Sequence, residues 1–267
     1  MRKLSRLNVK KSSKVNQAVR AIRGFNNIIQ HQQATFSNVI FNIVGDHNLI
    51  LIHPGAYLNN VSFNIYGDHH KIIIGPNCRF NERGSIWAED NNCLISIGQN
   101  STFEGVHFSA TEPGSKLIIG EDCMFSYDID VRTGDSHSVL CKATGARTNF
   151  AKNIVFGDHV WVASHCIFTR GASVSSNSIV GTGSLVNKAF DEENALVAGR
   201  PAKILKRNVE WLRERVYDKQ VITELPSQRI TGEQLIRQHT VKKKDFKRKE
   251  FVPEQFIADN QINKKTG

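Results

Sequence analysis

A repeat of 22 residues runs through the first half of the chain, and it limits the possible folds more than any other feature. Four consecutive segments align at this period: GDHNLILIHPGAYLNNVSFNIY from Gly45, GDHHKIIIGPNCRFNERGSIWA from Gly67, EDNNCLISIGQNSTFEGVHFSA from Glu89 and TEPGSKLIIGEDCMFSYDIDVRT from Thr111. Self-similarity at a fixed period of this length indicates stacked units, each of which is buried only by its neighbours. The chain is therefore expected to form a solenoid.

Each segment contains a shorter repeat of six residues that begins with a large apolar residue. These residues are Ile52, Leu58, Ile74, Phe80, Ile86, Ile97, Phe103, Ile119, Phe125 and Val131, and after an interruption Phe156, Val162, Phe168, Val174, Val180 and Val186. The fifth position of the later run is small, namely Val160, Cys166, Ala172, Ser178 and Ser184. Large and small inward side chains of this kind fit together inside a narrow coil.

The fourth position of the hexapeptide holds residues that tolerate a positive φ at a tight corner. They are Gly55, Asn77, Asn100, Asp122, His159, His165, Gly171, Asn177 and Gly183. Three hexapeptides form one coil of 18 residues, and a corner insertion extends the coils of the first half to 22 or 23 residues. The pattern predicts an all-β solenoid, a parallel β-helix.

Two helices are predicted beside the repeat, and they divide the chain into three regions. Val15, Ala18, Val19, Ile22, Phe25 and Ile29 fall on one helical face, which would cover the open first coil. Residues 203–217 are predicted to form a second helix with Trp211 and Leu212 on its apolar side. The regions are a basic N-terminal helical segment (1–34), the β-helix domain (35–205) and a C-terminal helix with a basic tail (206–267).

The net charge of +10 is concentrated at the two ends of the chain. Residues 1–34 carry +8 and residues 206–267 carry +6, whereas residues 35–205 carry −4. Attraction to an anionic membrane or polymer therefore belongs to the ends, mainly to Lys242–Lys249. This basic segment either holds the protein at the inner face of a membrane or at a polymer, or it is a solvated tail.

Cysteine usage and the N-terminus both indicate the cytoplasm. Cys78, Cys93, Cys123, Cys141 and Cys166 are an odd number without a CxxC pair, which favours free buried thiols over disulfides or a zinc knuckle. The N-terminus lacks the apolar segment of a secretory signal, and no apolar run reaches the ~20 residues of a membrane span.

Four motifs between Ile119 and Trp211 carry a resemblance to a known family. They are DSH at 135–137, GDHVWVASHCIF at 157–168, VGTGSLVNKAF at 180–190 and VAGRPAKILK at 197–206. In order and spacing they resemble the hexapeptide-repeat acyltransferases, in particular the capsule and lipopolysaccharide sugar O-acetyltransferases and the galactoside and maltose acetyltransferases. The resemblance implies a left-handed β-helix, a homotrimer with sites between subunits, and acetyl transfer from acetyl-CoA to a sugar hydroxyl without a metal.

The resemblance also implies roles for individual residues. His137 matches the general base, and an imidazole has the pKa near 7 that deprotonation of a hydroxyl requires. Asp135 either orients this imidazole or caps a turn. The backbone N–H of Ser164 matches an oxyanion donor, and Trp161 matches a tryptophan that lines the site beside the acetyl group. Acetyl-CoA is expected to contact Trp161, Ser164, Thr182, Asn187, Lys188, Lys203 and Lys206.

The acceptor and the reaction type leave alternatives open. The insertion between His137 and Ile154 resembles an acceptor loop, in which Lys142, Arg147 and Asn149 are candidates to hold an acidic sugar. An N-acetyltransferase acting on an amino-sugar nucleotide shares the same motifs. A zinc enzyme is disfavoured because the histidines occupy corner positions, and nucleic-acid binding is disfavoured because the basic ends lack interleaved aromatic residues.

Overall fold

The computed structural model describes residues 18–216, and every regular element in this range is a β-strand. The strands are β1 (Ala18–Arg23), β2 (Ile28–Gln30), β3 (Thr35–Val44), β4 (Leu49–Ile52), β5 (Tyr57–Asp68), β6 (Lys71–Ile74), β7 (Arg79–Asn91), β8 (Leu94–Ile97), β9 (Thr102–Ala110), β10 (Lys116–Ile119), β11 (Met124–Phe125), β12 (Ile129–Arg132), β13 (Ile154–Phe156), β14 (Trp161–Val162), β15 (Ile167–Phe168), β16 (Ser173–Val174), β17 (Ile179–Val180), β18 (Leu185–Val186), β19 (Ala189–Phe190), β20 (Leu196–Gly199) and β21 (Ala202–Lys206).

The strands stack in parallel into a β-solenoid of about eight turns, which confirms the predicted β-helix. Face 1 contains β11, β14, β17 and β20, and face 2 contains β12, β15 and β18. The long strands β3, β5, β7 and β9 each contribute to both faces, as β9 does by pairing with β11 and with β12. Face 3 is the eight-stranded sheet of β2, β4, β6, β8, β10, β13, β16 and β19.

The corner residues behave as the sequence predicts. All nine fourth-position residues have positive φ, from 53° at Asp122 to 80° at Gly171. At eight of these nine corners the N–H of this residue donates to a carbonyl of the adjacent coil, as His165 does to Tyr127 at 3.0 Å. The repeat of corner conformations therefore keeps successive coils in register.

The core is the interior of the coils. All sixteen first-position residues and all five small fifth-position residues are buried. Phenylalanine rings stack between coils, with centroids 4.6 Å apart for Phe80 and Phe103, and pack edge to face within a coil, with centroids 4.8 Å apart for Phe156 and Phe168. The cysteines are free as predicted, but only four are buried, because Cys141 lies in the insertion outside the coils.

Both predicted flanking helices are wrong within the described residues. Ala18–Arg23 is a strand that pairs in parallel with Val39–Val44, and Ile28–Gln30 pairs with Leu49–Leu51. Residues 203–217 begin in β21, which pairs antiparallel with β20, and continue irregularly to residue 216. The apolar spacing fits a helix equally well, but a neighbouring coil offers unpaired backbone N–H and C=O groups that only another strand satisfies.

Some of the predictions fall on residues that the structure does not describe. Residues 1–17 and 217–267, including Val15 and the basic segment Lys242–Lys249, lie outside the described range. Residues 18–216 contain no helix that could cross a membrane.

Candidate active site

The DSH turn lies at the corner where the chain leaves face 2. β12 ends at Arg132, and the insertion of residues 133–153 replaces the short corner found in the later coils. The turn is tight because Ser136 has a φ of 62° and the His137 N–H donates to the Asp135 carbonyl at 2.8 Å. The His137 side chain is exposed, and its imidazole makes no hydrogen bond to any residue in the range 18–216. The ring is therefore accessible to a substrate.

The insertion continues as a short hairpin that projects from this corner. Leu140 and Arg147 form an antiparallel bridge, and the Thr148 N–H donates to the Val139 carbonyl at 2.8 Å. Lys142 is exposed at the hairpin tip, and Leu140 has 59% of its surface exposed. The hairpin places both charged and apolar side chains beyond the surface of its own coil.

Asn149 connects the hairpin to the DSH turn. Its buried side-chain amide donates to the His137 carbonyl at 2.7 Å and to Asp135 Oδ2 at 3.0 Å, while its Oδ1 accepts from the Val139 N–H at 2.7 Å. These contacts occupy the amide, so Asn149 supports the turn from within. An acceptor sugar would not meet it directly.

Arg147, the other candidate for an acidic sugar, is also engaged within the chain. Its guanidinium forms an ion pair with Glu112 and lies over the Phe150 ring at 4.9 Å. These residues line a cavity of about 430 Å³ at the base of the hairpin. Of the three candidates for holding an acidic sugar, only Lys142 has an exposed side chain that the structure does not engage.

The Asp135 carboxylate does not contact the His137 ring. Its Oδ2 accepts from Asn149 and from Arg170 Nε, the latter at 3.1 Å. Arg170 belongs to the corner of the next coil, after β15. These contacts are those of a residue that supports the turn. They fit the interpretation of Asp135 as a turn cap better than the interpretation that it orients the imidazole.

Trp161 and Ser164 lie on a different side of the coil. Trp161 is the outward residue of β14 on face 1, and its side chain is half-buried. Ser164 lies at the corner between face 1 and face 2, and its carbonyl accepts from the Gly183 N–H of the next coil at 2.9 Å. Since β14 and β17 pair with an offset of 18 residues, Thr182 occupies the equivalent corner position one coil on.

The predicted acetyl-CoA residues follow the same division. Asn187 and Lys188 are exposed at the corner after β18, one coil beyond Arg170. Lys203 and Lys206 are exposed on β21, which pairs with β20 at the edge of the face 1 sheet.

The structure therefore sorts the nine predicted residues into two groups. Group A, after face 2, contains Asp135, His137, Asn187 and Lys188, and group B, on face 1 and the corner that follows it, contains Trp161, Ser164, Thr182, Lys203 and Lys206.

One buried polar cluster beside Trp161 was not predicted. Asp122 accepts from Arg213 Nε at 2.9 Å and pairs with His159 Nδ1 at 2.8 Å. Trp211 stacks on the His159 ring with centroids 4.0 Å apart. Burial opposes the charged form of His159, but the hydrogen bond to Asp122, the Trp211 carbonyl and the charges of Asp122 and Glu210 outweigh it and raise the pKa of His159.

The sequence carries no local signal for this cluster because its members come from three distant segments. The hexapeptide pattern identifies Asp122 and His159 only as corner residues, and the apolar spacing around Trp211 predicts a helix that does not form. Within residues 18–216, no three His, Cys, Asp or Glu side chains converge as metal ligands.

Comparisons with known proteins agree with the motifs. The chain is 33% identical over 131 residues to a polysialic acid O-acetyltransferase of Escherichia coli O1:K1 / APEC, which covers 49% of this chain and 42% of the relative. It is 26% identical over 145 residues to a polysialic acid O-acetyltransferase of Neisseria meningitidis, covering 53% and 67% of the two chains. A galactoside O-acetyltransferase of Escherichia coli K12 is 28% identical over 133 residues, covering 42% of this chain and 64% of the relative. No protein-family model matches the chain.

Solved structures show the same architecture. The polySia-specific acetyltransferase NeuO superposes with a TM-score of 0.66 at 27% identity, covering 74% of this chain and 89% of that one. The polysialic acid O-acetyltransferase OatWY superposes with a TM-score of 0.70 at 23% identity, covering 76% and 94%, and shows the same fold. The resemblance to the hexapeptide-repeat acetyltransferases is therefore confirmed. The matched region spans about half of the curated relatives' length, from 42% to 67% in the three proteins named above.

Proposed function

We propose that this chain transfers an acetyl group from acetyl-CoA to a hydroxyl of a sugar or surface polysaccharide, in a site shared by two copies of the chain. One observation carries the proposal, namely the division of the predicted residues between two corners. His137 lies where the chain leaves face 2, whereas the Ser164 amide lies where it enters that face. Residues at opposite ends of a sheet face of one chain cannot both contact the same thioester carbonyl.

Two copies placed side by side remove this separation. If face 2 of each chain points towards a three-fold axis, group A of one copy lies against group B of the next copy. Each contact is then heterologous, and a rotation of one third of a turn closes it into a ring. The homotrimer that the resemblance implies would therefore contain three equivalent sites.

His137 acts as the general base in this proposal. Its exposed imidazole removes the proton from the acceptor hydroxyl while the hydroxyl oxygen attacks the thioester carbonyl carbon. The tetrahedral intermediate collapses with cleavage of the C–S bond, and the imidazolium returns the proton to the departing sulfur. The products are an O-acetyl ester and CoA with a free thiol, and no acyl-enzyme forms.

The backbone N–H of Ser164 is available as the oxyanion donor. At the equivalent third position, the N–H of Glu121 donates to Asp158 Oδ1 at 2.8 Å, and that of Asp158 donates to Ser176 Oγ at 3.1 Å. The Ser164 N–H makes no such bond to any residue within 18–216. A fixed donor without a partner can stabilise the negative charge that develops on the carbonyl oxygen.

The remaining group B residues would hold acetyl-CoA. The Trp161 ring forms a wall beside the acetyl group, and Thr182 continues the corner along the pantetheine arm. Lys203 and Lys206 meet the phosphates from β21, while Asn187 and Lys188 approach from the neighbouring copy. Lysine side chains bind phosphate as point charges and tolerate an exposed position.

The acceptor is proposed to be a saccharide, and an acidic polymer is the first candidate to test. Two relatives are named for polysialic acid, and Lys142 is exposed on the hairpin beside His137. A cytoplasmic location, at or near the inner face of the membrane where surface polysaccharides are assembled, would fit this acceptor.

An assay of purified protein with acetyl-CoA tests the proposal. Polysialic acid, neutral sugars and an amino-sugar nucleotide serve as acceptors, and release of the CoA thiol is followed. Transfer to a hydroxyl gives an ester that mild base removes, whereas an N-acetyl group survives. Acetylation of the amino-sugar nucleotide alone would replace the proposal with N-acetyl transfer, and no transfer to any acceptor would overturn it.

A further inference from the structure

The segment that follows β21 turns back along the solenoid and is anchored beside Trp161. We call residues 209–213 the C-terminal strap. The Val209 N–H donates to the Asn194 carbonyl at 2.9 Å, Trp211 Nε1 donates to the His159 carbonyl at 2.8 Å, and Arg213 reaches Asp122 and Asn100. Asn194, His159, Asp122 and Asn100 occupy one column of corners between face 3 and face 1. The strap therefore follows this column from the last coils towards the middle of the solenoid.

The Arg213 side chain is buried and donates five hydrogen bonds. The guanidinium side chain is only 6% exposed. It donates to Asp122 Oδ1 at 2.9 Å, to Thr102 Oγ1 at 2.9 Å, and to the carbonyls of Asn100, Asp122 and Cys123 at 3.3, 3.2 and 3.0 Å. Burial of a guanidinium is unfavourable unless such partners are present. The contacts specify one position for the strap.

The Asp122 carboxylate links the two anchors of the strap. One oxygen accepts from Arg213, and the other pairs with His159, on which the Trp211 ring stacks at an interplanar angle of 10°. The second ring nitrogen of His159 contacts the Trp211 carbonyl at 3.1 Å. Displacement of Arg213 would consequently disturb the support beneath Trp211.

The Trp211 ring lies directly beside the Trp161 ring. The two rings have centroids 6.1 Å apart and planes inclined at 45°. Trp211 is 4% exposed, so its ring cannot move away without breaking the stack on His159. Trp161 thus has the strap beside its ring, and the Ser164 corner follows it three residues further along the same coil.

We infer that Trp211 is a positioning residue that fixes the Trp161 indole in the orientation used by the acyl-transfer site, and that the Arg213–Asp122–His159 network holds the strap in place for this purpose. The catalytic consequence rests on the proposed function, whereas the contact between the rings does not. A strap that only closed the end of the solenoid would contact the last coil. This one contacts the last coil through Val209 and Glu210, both at Asn194, and then continues past that coil to lie beside β14 and β11.

The contact between the rings can be measured without any activity. The chain has three tryptophans, and two indoles this close couple excitonically and give a paired band in circular dichroism. We expect the band to disappear in both Trp161→Phe and Trp211→Phe and to persist in Trp87→Phe, which changes the tryptophan on face 2. Persistence of the band in Trp211→Phe would overturn the inference.

The positioning role is tested with acetyl-CoA as the probe, by calorimetric titration of the whole protein in the absence of an acceptor. Trp161→Ala and Trp211→Ala should each weaken acetyl-CoA binding about 10-fold, and the double variant should bind no more weakly than Trp161→Ala, because coupled residues are not additive. Arg213→Lys, which cannot reproduce the five hydrogen bonds, should give the Trp211→Ala result, and Arg215→Ala should bind as the unmodified protein does. If Trp211→Ala does not fold, Trp211→Phe replaces it.

Additive losses in the double variant would mean that Trp211 acts independently of Trp161 and would overturn the inference. Unchanged acetyl-CoA binding in Trp161→Ala would remove the role of Trp161 from the proposed function and leave Trp211 nothing to position. In that case the dichroism band would still show whether the two rings are in contact. The two failures can therefore be distinguished.

Discussion

Arg170 holds Asp135 from the next coil, with 3.1 Å between its Nε and the Asp135 Oδ2. Asp135 is two residues before His137, and the same oxygen accepts from the buried Asn149 amide. The turn that presents His137 is therefore fixed from two directions. The imidazole itself stays free, which suits a group that must exchange a proton with a substrate.

Replacing His137 by Ala should lower kcat by about 10² to 10⁴-fold, because the acceptor hydroxyl would lose its base. The melting temperature should change little, since the side chain is exposed and makes no hydrogen bond to a described residue. His53 directly follows β4 in a distant coil, so His53→Ala is the matched control and should retain full activity. Near-complete activity of His137→Ala towards the true acceptor would contradict the assignment.

Asn149→Ala tests whether the support of the DSH turn matters for activity. The variant removes the buried amide that joins the Val139 N–H to the Asp135 carboxylate, and it leaves Arg170 as the side chain that holds Asp135. We expect kcat to fall at least about 10-fold, because a small displacement of a catalytic group is sufficient for such a loss. Faster proteolysis of the hairpin should accompany it.

Thr148→Val is the control for this variant, since the Thr148 hydroxyl donates to the Val139 carbonyl on the exposed side of the same hairpin. It should keep nearly full activity. Equal losses in both variants would indicate that the whole hairpin contacts the substrate and that Asn149 has no special role.

Mixed oligomers test the shared site. Inactive His137→Ala and Trp161→Ala chains should regain activity when they are unfolded and refolded together, because some interfaces then combine an intact group A with an intact group B. Each variant refolded alone should remain inactive. No recovery in the mixture, or a monomer by light scattering at micromolar concentration, would contradict the proposed arrangement.

The fold was predictable wherever the same position of every repeat requires residues of one restricted class. A positive φ at the corner selects glycine, asparagine, aspartate or histidine, and a closed coil selects alternating large and small residues inside. Nine corner residues and sixteen large interior residues could thus be identified from the sequence, and the structure confirms each of them. The ends were not predictable in this way, because β1 and β21 form by pairing with strands that a local pattern does not reveal.

The site was only partly predictable, for the same physical reason. Motifs placed His137, Trp161 and Ser164, but spacing along the chain does not indicate which corner each residue occupies. The support of these residues depends on contacts between distant segments. Arg170 reaches Asp135 over 35 positions and Arg213 reaches Asp122 over 91, and neither contact leaves a pattern in the sequence.

Deletion of residues 240–267 tests the role of the basic segment Lys242–Lys249. Each Lys or Arg near an anionic membrane contributes about 1 kcal/mol, so six of them could hold the protein reversibly. If they do, the deletion abolishes salt-sensitive binding to vesicles that contain anionic lipid and leaves kcat on a small soluble acceptor unchanged. Unchanged vesicle binding would favour a solvated tail, and a loss of kcat would show that the tail contributes to the active site.

Finally, the His159–Asp122 pair predicts a pH dependence of stability. The folded protein holds the His159 proton more tightly than the unfolded chain does, because its pKa is raised above the ordinary value of 6.5. The resulting stabilisation is complete below that value and is lost as the pH rises through the raised pKa. Asp122, Glu210 and Arg213 are the charged groups that face this cluster.

His159→Asn is the matched variant, since asparagine tolerates the corner φ of 54° and does not titrate. His70 and His107, whose pKa values are lowered by burial, act in the opposite direction and are present in both proteins. The measured quantity is therefore the difference in melting temperature between the two proteins. This difference should be largest at mildly acidic pH and should shrink as the pH rises above the raised pKa. In the unmodified protein, the dichroism band of Trp161 and Trp211 should weaken over the same pH range. A difference that does not vary with pH would show that the charge of His159 does not hold the strap.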